Sequence, residues 1–208
     1  MRKLTLTQFV TLDGVVQSPG APEEDPSGGF AKGGWLPPFA DDPLFGEVMD
    51  ARFANAGGFL LGRKTYELMA AWWPNVGDDD PAAAKLNHLP KYVASTTLES
   101  ADWENTTILD GDVVEAVREL KGEDGGGELQ IHGSRGLAQT LMRHGLIDVY
   151  ELLVFPVVLG EGKRLFETGI DRSLSLTGSR AADSGLAVLT YEPAGELAFG
   201  SVEDLPSS

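Results

Sequence analysis

Two short turns carry the residue types that bind an anion: Gly133-Ser134-Arg135-Gly136 and Gly62-Arg63-Lys64-Thr65. Each follows a largely apolar run, Leu129-Gln130-Ile131 in the first case and Phe59-Leu60-Leu61 in the second, and each opens a helical pattern. A strand that passes through a glycine turn into a helix leaves the first N–H groups of that helix without intrahelical partners. Those amides, the positive end of the helix dipole and a neighbouring guanidinium all favour a phosphate. A third run, Tyr92-Val93-Ala94, ends in the hydroxyl pair Ser95-Thr96. In open α/β sheets ligands bind beyond the carboxyl ends of strands, so the three strand ends together describe a dinucleotide phosphate site. Neither turn matches the G-x-G-x-x-G or P-loop fingerprints, so an ordinary Rossmann domain and an NTPase are not supported.

Other reactive side chains form weaker patterns. His88, His132 and His144 do not share metal-ligand spacing, and each reads as structural; His132 alone, beside the glycine turn, is placed for a cofactor contact. Ser134 in G-S-R-G is not a nucleophile elbow, which needs G-x-S-x-G with histidine and acid partners. The Trp72-Trp73 pair reads as core or interface.

The elements that must position these turns follow from periodicity. Leu4, Leu6, Phe9, Val10 and Leu12 mark a first strand that ends at Asp13-Gly14. A Gly-, Pro- and acid-rich loop from about Gln17 to Asp42 is interrupted by Phe30, Trp35, Leu36 and Phe39, which implies a loop that packs on something. Pro43 suits a first helical turn, and Leu44, Phe45, Val48, Met49 and Phe53 follow at helical spacing, with Glu47 and Asp50 beside that stripe. Gly57-Gly58 breaks the helix before the strand Phe59–Leu61. Pro81 to His88 reads as a turn or two of helix, Thr106 to Leu109 as a strand, and Asp112 as the cap of a helix bearing Val113, Val117 and Leu120. Gly125-Gly126-Gly127 reads as a flexible link. An apolar run from Val149 to Leu159 precedes two alternating segments, Leu174–Ala181 and Leu186–Glu192, joined at Asp183-Ser184-Gly185. The pattern predicts one α/β domain over residues 1–195, with a mostly parallel sheet and an antiparallel C-terminal hairpin, and a polar tail over 196–208.

Composition limits the partners. With 208 residues and 42% hydrophobic content the chain can bury one good core. Its 32 acidic and 16 basic residues give a net charge of −16, a field that repels nucleic acid and anionic lipid. A phosphorylated ligand is then accommodated only where cations are concentrated locally. No cysteine is present, so disulfides, thiolate catalysis and cysteine–zinc sites are excluded. No apolar run approaches the roughly 20 residues of a membrane span, and the start MRKLTLTQFV alternates like a strand rather than a signal peptide. A cytoplasmic location is expected.

Taken together, TLDG near the N-terminus, FLLGRKTYE, KYVASTT and ELQIHGSRGLAQTLMRHGLIDVYELLVFPVVLGEGKRLF resemble the dihydrofolate reductase-like superfamily. Within it the chain is most similar to the reductase domain of bifunctional riboflavin-biosynthesis deaminase-reductases and their stand-alone relatives, over roughly Lys3 to Glu192. The resemblance implies a three-layer α/β/α fold and NADPH as cofactor. It places Gly62, Arg63, Lys64 and Thr65 near the 2′-phosphate and pyrophosphate, Ser95 and Thr96 beside the adenosine end, and Gly133, Ser134, Arg135, Gly136 and Leu137 at the pyrophosphate turn. Two adjacent cations at Arg63-Lys64 favour NADPH over NADH. The resemblance also puts Asp13 near the nicotinamide and the substrate. Glu47 or Asp50 falls near the position of the substrate-binding carboxylate of folate reductases, where a half-buried carboxyl group can serve as acid. Trp35, in the long loop, is expected either to cover the substrate ring or to pack on the surface.

The chain departs from the family at two points. Ala70 to Leu89 carries no arginine to grip a folate glutamate tail, which argues against folate. The deaminase signature, H-x-E followed by P-C-x-x-C, is absent. The expectation is therefore an NADPH-dependent reductase of a small heterocycle (pterin- or ribosylaminopyrimidine-like) or of a carbonyl or imine compound. The alternative is a non-catalytic binding member of the same fold. Relatives often pair, which implies a homodimer, although no interface is legible in the residues.

Overall fold

The computed structural model describes residues 1–123 and 126–201. Gly125 of the expected glycine link and residues 202–208 of the expected tail lie outside the described residues. The strands are β1 (Leu4–Thr11), β2 (Ala56–Gly62), β3 (Lys91–Ala94), β4 (Thr106–Leu109), β5 (Glu128–His132), β6 (Val149–Phe155), β7 (Leu174–Ala181) and β8 (Ala187–Pro193). They form one sheet in the order β4-β3-β2-β5-β1-β6-β8-β7. The first six run parallel, and β8 and β7 complete the sheet antiparallel. This is the mixed α/β sheet that the alternating pattern predicts.

The helices are α1 (Pro43–Asn55), α2 (Arg63–Trp72), α3 (Pro81–His88), α4 (Val113–Gly122) and α5 (Arg135–Arg143). They cover both faces because successive strand residues point to opposite sides. Leu60 of β2 joins Leu4, Leu6, Leu129 and Ile131 in a core completed by Val117 and Leu120 of α4 and Leu141 and Met142 of α5. Its neighbours Phe59 and Leu61 point the other way, onto Phe53 of α1, Tyr66 of α2 and Leu86 of α3. Further along that second face, Leu44 and Val48 of α1 meet Leu153 and Phe155 of β6. With both faces covered, β6 reads as a nearly continuous apolar run, whereas β1 buries Thr5, Thr7 and Gln8 among its apolar residues.

Two boundaries differ from the sequence expectation. Gly57-Gly58 does not separate helix from strand; both glycines lie inside β2, which starts at Ala56 with a register shift against β5 between Ala56 and Gly58. A Cβ on Gly57 would stand 2.9 Å from the backbone of Gly127, so the glycine permits close approach of two strands rather than a break. The apolar run from Val149 is strand only to Phe155, because Pro156 cannot donate to the ladder.

The long loop is pinned along its length. Gln17 donates to the carbonyls of Asp25 and Ser27 at 2.8 and 3.0 Å, and accepts from Lys163 N at 3.0 Å. Asp25 N donates to Ser18 Oγ at 2.7 Å. The Trp35 indole donates to the Gln17 carbonyl at 2.9 Å and packs edge-on against Phe155, with ring centroids 5.5 Å apart. Among the described residues no helix is long and apolar enough to cross a membrane.

Candidate functional site

α2 leaves β2 towards β3 on one face of the sheet, whereas α5 leaves β5, crosses β1 and leads to β6 on the other. β2 and β5 are neighbours whose connections diverge, so a crevice opens between them at their carboxyl ends, the topological switch point where α/β sheets bind ligands. A cleft of about 370 Å³ lies there. It is lined by Gly62, Arg63, Lys64, Thr65 and Leu68 from the first turn and its helix, and by Gly133, Ser134, Arg135, Gly136 and Leu137 from the second. Gln8 and Phe9 of β1 line it too, as do Gln17, Glu24 and Asp25 of the loop and Lys163.

The two turns are locked together by reciprocal bonds. Gly62 N donates to Ser134 Oγ at 2.9 Å, and Ser134 N donates to Thr65 Oγ1 at 3.1 Å. Gly133 and Ser134 have φ of +64° and +50°, left-handed values that turn the chain sharply into α5. Gln8 fixes the same turn by donating its side-chain amide to the Gly133 carbonyl.

The capping pattern separates these helices from the rest. α1, α3 and α4 start at Asp42, Asp80 and Asp112, whose carboxylates accept from the first helical amides. α2 and α5 start at Gly62 and Ser134 with no side-chain cap. A helix start without a cap leaves its N–H groups for water or a ligand. Both uncapped starts line the cleft.

The cations are brought together, but none stands bare. Arg63 pairs with Glu67 one helical turn on at 3.2 Å. Arg135 donates to the Arg164 carbonyl at 2.7 Å and pairs with Glu167. Lys163, which the sequence reading missed, reaches Asp25 at 2.5 Å and Ser27 Oγ at 2.6 Å, while Lys64 lies 3.7 Å from the same carboxylate. Desolvation would raise the pKa of Asp25; hydrogen bonds from Lys163 and Ser27 and the charges of Lys163 and Lys64 outweigh it and hold the group at about 2. Asp25 thus occupies a ready-made anion position at the cleft wall. A depression of about 420 Å³ on the other side of this wall shares Glu24, Asp25, Lys64 and Leu68.

Ser95 and Thr96 follow β3, whose last residue Ala94 is the register partner of Gly62, so they share the sheet edge but lie outside the cleft lining. Ser95 Oγ there accepts from Leu98 N at 2.9 Å.

None of the substrate-side candidates Asp13, Trp35, Glu47 and Asp50 is among the residues lining this cleft. Asp13 accepts from Thr11 Oγ1 at 2.7 Å, from Gly160 N at 2.8 Å and from Leu159 N at 3.2 Å. The Thr11 hydroxyl bond, followed by the two amide bonds, holds its pKa down at about 2 against desolvation, so it clamps a turn and is unsuited to donating a proton. Glu47 is exposed and paired with Arg180 of β7; Asp50 is exposed on the same helix, and neither lines the cleft. Their face of α1 points to solvent because Leu44, Val48 and Phe53 take the buried one. Trp35 is buried against Phe155 and serves as the loop's anchor rather than as a ring cover over the cleft. His132, buried and stacked on Phe53 with centroids 5.3 Å apart, is a core histidine; desolvation and the Arg52 charge press its pKa to about 4. Trp73 is half-buried and Trp72 exposed.

Comparison with known proteins agrees with this architecture. The model of the RibD C-terminal domain family matches residues 2–188. The uncharacterized protein YyaP of Bacillus subtilis (strain 168) is 29% identical over 198 residues, covering 91% of this chain and 94% of that protein. A putative riboflavin biosynthesis protein from Shewanella sp. PV-4 superposes with a TM-score of 0.67 at 20% identity, covering 93% of this chain and 99% of that one. Dihydrofolate reductase from Enterococcus faecalis, complexed with NADP(H) and RAB-propyl, superposes with a TM-score of 0.58 at 17% identity, covering 93% of this chain and 97% of that one. The chain belongs to the RibD C-terminal domain family and has the fold of dihydrofolate reductase.

Proposed function

We propose that this chain is an NADPH-dependent reductase acting on a small heterocyclic, carbonyl or imine compound. The observation that supports it most is the pair of uncapped helix starts, α2 and α5, that line one cleft at the switch point of the sheet. The residues present fit a dinucleotide. Free amides of Arg63-Lys64-Thr65 and Arg135-Gly136-Leu137 would hold the pyrophosphate, with Thr65 and Ser134 keeping the two turns in register. Arg63, half-exposed and held among the described residues by Glu67, would exchange that surface pair for a 2′-phosphate, since a charge-assisted guanidinium–phosphate contact outweighs an exposed i,i+4 pair. Ser95 and Thr96 would lie at the adenosine end. A bound nicotinamide would supply hydride; the chain's share is to orient the reactants and exclude water.

A single titration tests this reading. NADPH is expected to quench tryptophan emission saturably, and Arg63→Ala to weaken NADPH far more than NADH. Absence of NADPH binding at high micromolar concentration would sink the proposal, and equal losses for both cofactors would remove Arg63 from 2′-phosphate recognition. A non-catalytic binding role is favoured by one observation, the commitment of Asp13 to the Leu159–Gly160 turn. Binding of NADPH without its oxidation across pterins, flavins, quinones and ribosylaminopyrimidines would select that role.

A further inference from the structure

Helices cover the sheet unevenly. On the face lined by Leu4, Leu6, Leu129 and Ile131 the second layer is α4 and α5, and the described chain forms no helix between β6 and β8. The register shows what that face carries beyond α5. Tyr150 and Leu152 of β6 belong to the core built with α5; their partners on β8 are Tyr191 and Leu189, and Val154 stands opposite Ala187. Tyr191, Leu189 and Ala187 stand in turn opposite Leu176, Ser179 and Ala181 of β7. Directly opposed residues of antiparallel strands share a face. The other face of these strands is closed by Leu44 and Val48 of α1 against Leu153, Phe155 and Val188. This one stays open: Leu176 is 54% exposed, and Val154, Leu189 and Tyr191 are half-buried.

Charge and size both say what fits there. The chain carries a net charge of −16, yet none of the strand positions on this face is charged. Glu151, Arg180 and Glu192, the charged residues of β6, β7 and β8, have the other parity; the first two pair with Arg52 and Glu47 of α1. Two such acidic chains repel each other over most of their surface, and a neutral apolar face is where their approach costs least. The side chains are graded along the strands. Ala181, Ser179 and Ala187 lie towards the β7–β8 hairpin, whereas Leu176, Leu174 and Tyr191 lie towards its open end. A two-fold axis in the plane of contact, perpendicular to the strands, sets the large end of each copy on the small end of the other.

We propose that the open face of β6, β8 and β7 is the contact surface for a second copy of this chain, packed sheet on sheet in a two-fold dimer. Three strands of seven or eight residues make a flat patch of about 350 Å², and packed sheets lie about 10 Å apart. Exposed apolar side chains at the carboxyl ends of β1 and β6 enlarge the patch. Leu12, Val158 and Phe166 are 64%, 70% and 45% exposed there, gathered by bonds from Leu12 N to the Val157 carbonyl and from Leu165 N to the Gly14 carbonyl, each 2.9 Å. The sum approaches the ~800 Å² per partner of a stable interface. The chain's own end is a poorer occupant, because residues 202–208 offer only Val202 and Leu205 as large aliphatic side chains.

Sedimentation equilibrium of the full chain at micromolar concentration is expected to give twice the chain mass. Leu176→Asp, at a position exposed enough for a monomer to tolerate it, puts two carboxylates into the contact by symmetry and should raise the dissociation constant about a hundredfold or more. Trp72→Asp on α2, across the sheet, and Phe199→Asp in the tail, both strongly exposed, should leave it unchanged. The chain has no cysteine, so a single introduced one reports alone. A bismaleimide should link Ser179→Cys chain to chain and leave Trp72→Cys unlinked. A single-chain mass for wild type, equal dissociation constants for wild type and Leu176→Asp, or dissociation caused by Trp72→Asp or Phe199→Asp would overturn the proposal. Should Leu176→Asp fail to fold, the cross-link decides, and linkage at Trp72→Cys instead of Ser179→Cys refutes the face. The NADPH titration reads the cleft separately, so either proposal can fail without the other.

Discussion

Replacing Asp25 by Asn should weaken the fold and strengthen anion binding at the same time. The side chain keeps its size and one oxygen to accept from Lys163, while the other oxygen, which accepts from Ser27, becomes an amide N–H2; the charge and one acceptor are removed. In the folded protein the Asp25 carboxyl titrates near 2 against an ordinary value of 3.8, and its side chain is 23% exposed. At ~1.4 kcal/mol per pH unit that gap corresponds to about 2.4 kcal/mol, which screening at a partly open site trims to about 1–2 kcal/mol. Because the folded pKa is depressed, this stability is fully present above pH 3.8 and is lost as pH falls towards 2. The variant should therefore melt about 2–8 °C below wild type at pH 7, with the gap closing near pH 2. Conversely, Lys64 and Lys163 lose their resident anion. Inorganic pyrophosphate and NADPH should bind about three- to tenfold more tightly, with a steeper fall as salt rises. Thermal melts across pH and calorimetric titrations at two salt concentrations supply the readings. An unchanged melting temperature together with unchanged pyrophosphate affinity would refute the view of Asp25 as an internal anion in this cleft.

Two further substitutions test the frame around the site. Gly57→Ala places a Cβ 2.9 Å from the Gly127 backbone and should cost about 2–3 kcal/mol as β2 and β5 are pushed apart, whereas Gly46→Ala in α1 meets open space and should gain about 0.5–1 kcal/mol; urea unfolding of the pair measures both. Glu47→Gln breaks an exposed pair with Arg180 and should change stability by less than about 1 kcal/mol and NADPH affinity not at all, so a loss of cofactor binding or turnover would return α1 to the site.

The two turns proposed to hold an anion were legible because each is local. Glycine turns, hydroxyls and cations at strand ends form a pattern within a few residues, and Gly62 to Thr65 and Gly133 to Leu137 do meet in one cleft. The orientation of the α1 acids was not legible, because the face a helix presents depends on what packs against it. Glu47 and Asp50 flank an apolar stripe, yet Leu44, Val48 and Phe53 claim the buried side and leave both acids in solvent. Glu24 and Asp25 carried no signal beyond being acids in a loop. Trp35 did signal that the loop packs, but not that its anchor would be Phe155, some 120 positions further along.

The sequence alone determined the alternation of strands and helices, the absence of thiol chemistry and the two turns suited to phosphate, since these follow from residue type and short-range spacing. Tertiary structure decided which groups share the cleft and which are already spoken for. Lys163 joins Lys64 only because residues 138 positions apart close on Asp25, and Asp13 is spent on a turn 146 positions away. Such pairings depend on strand order, which places β5 between β1 and β2 and brings the two helix starts face to face. No local pattern encodes that order; burial of both sheet faces selects it.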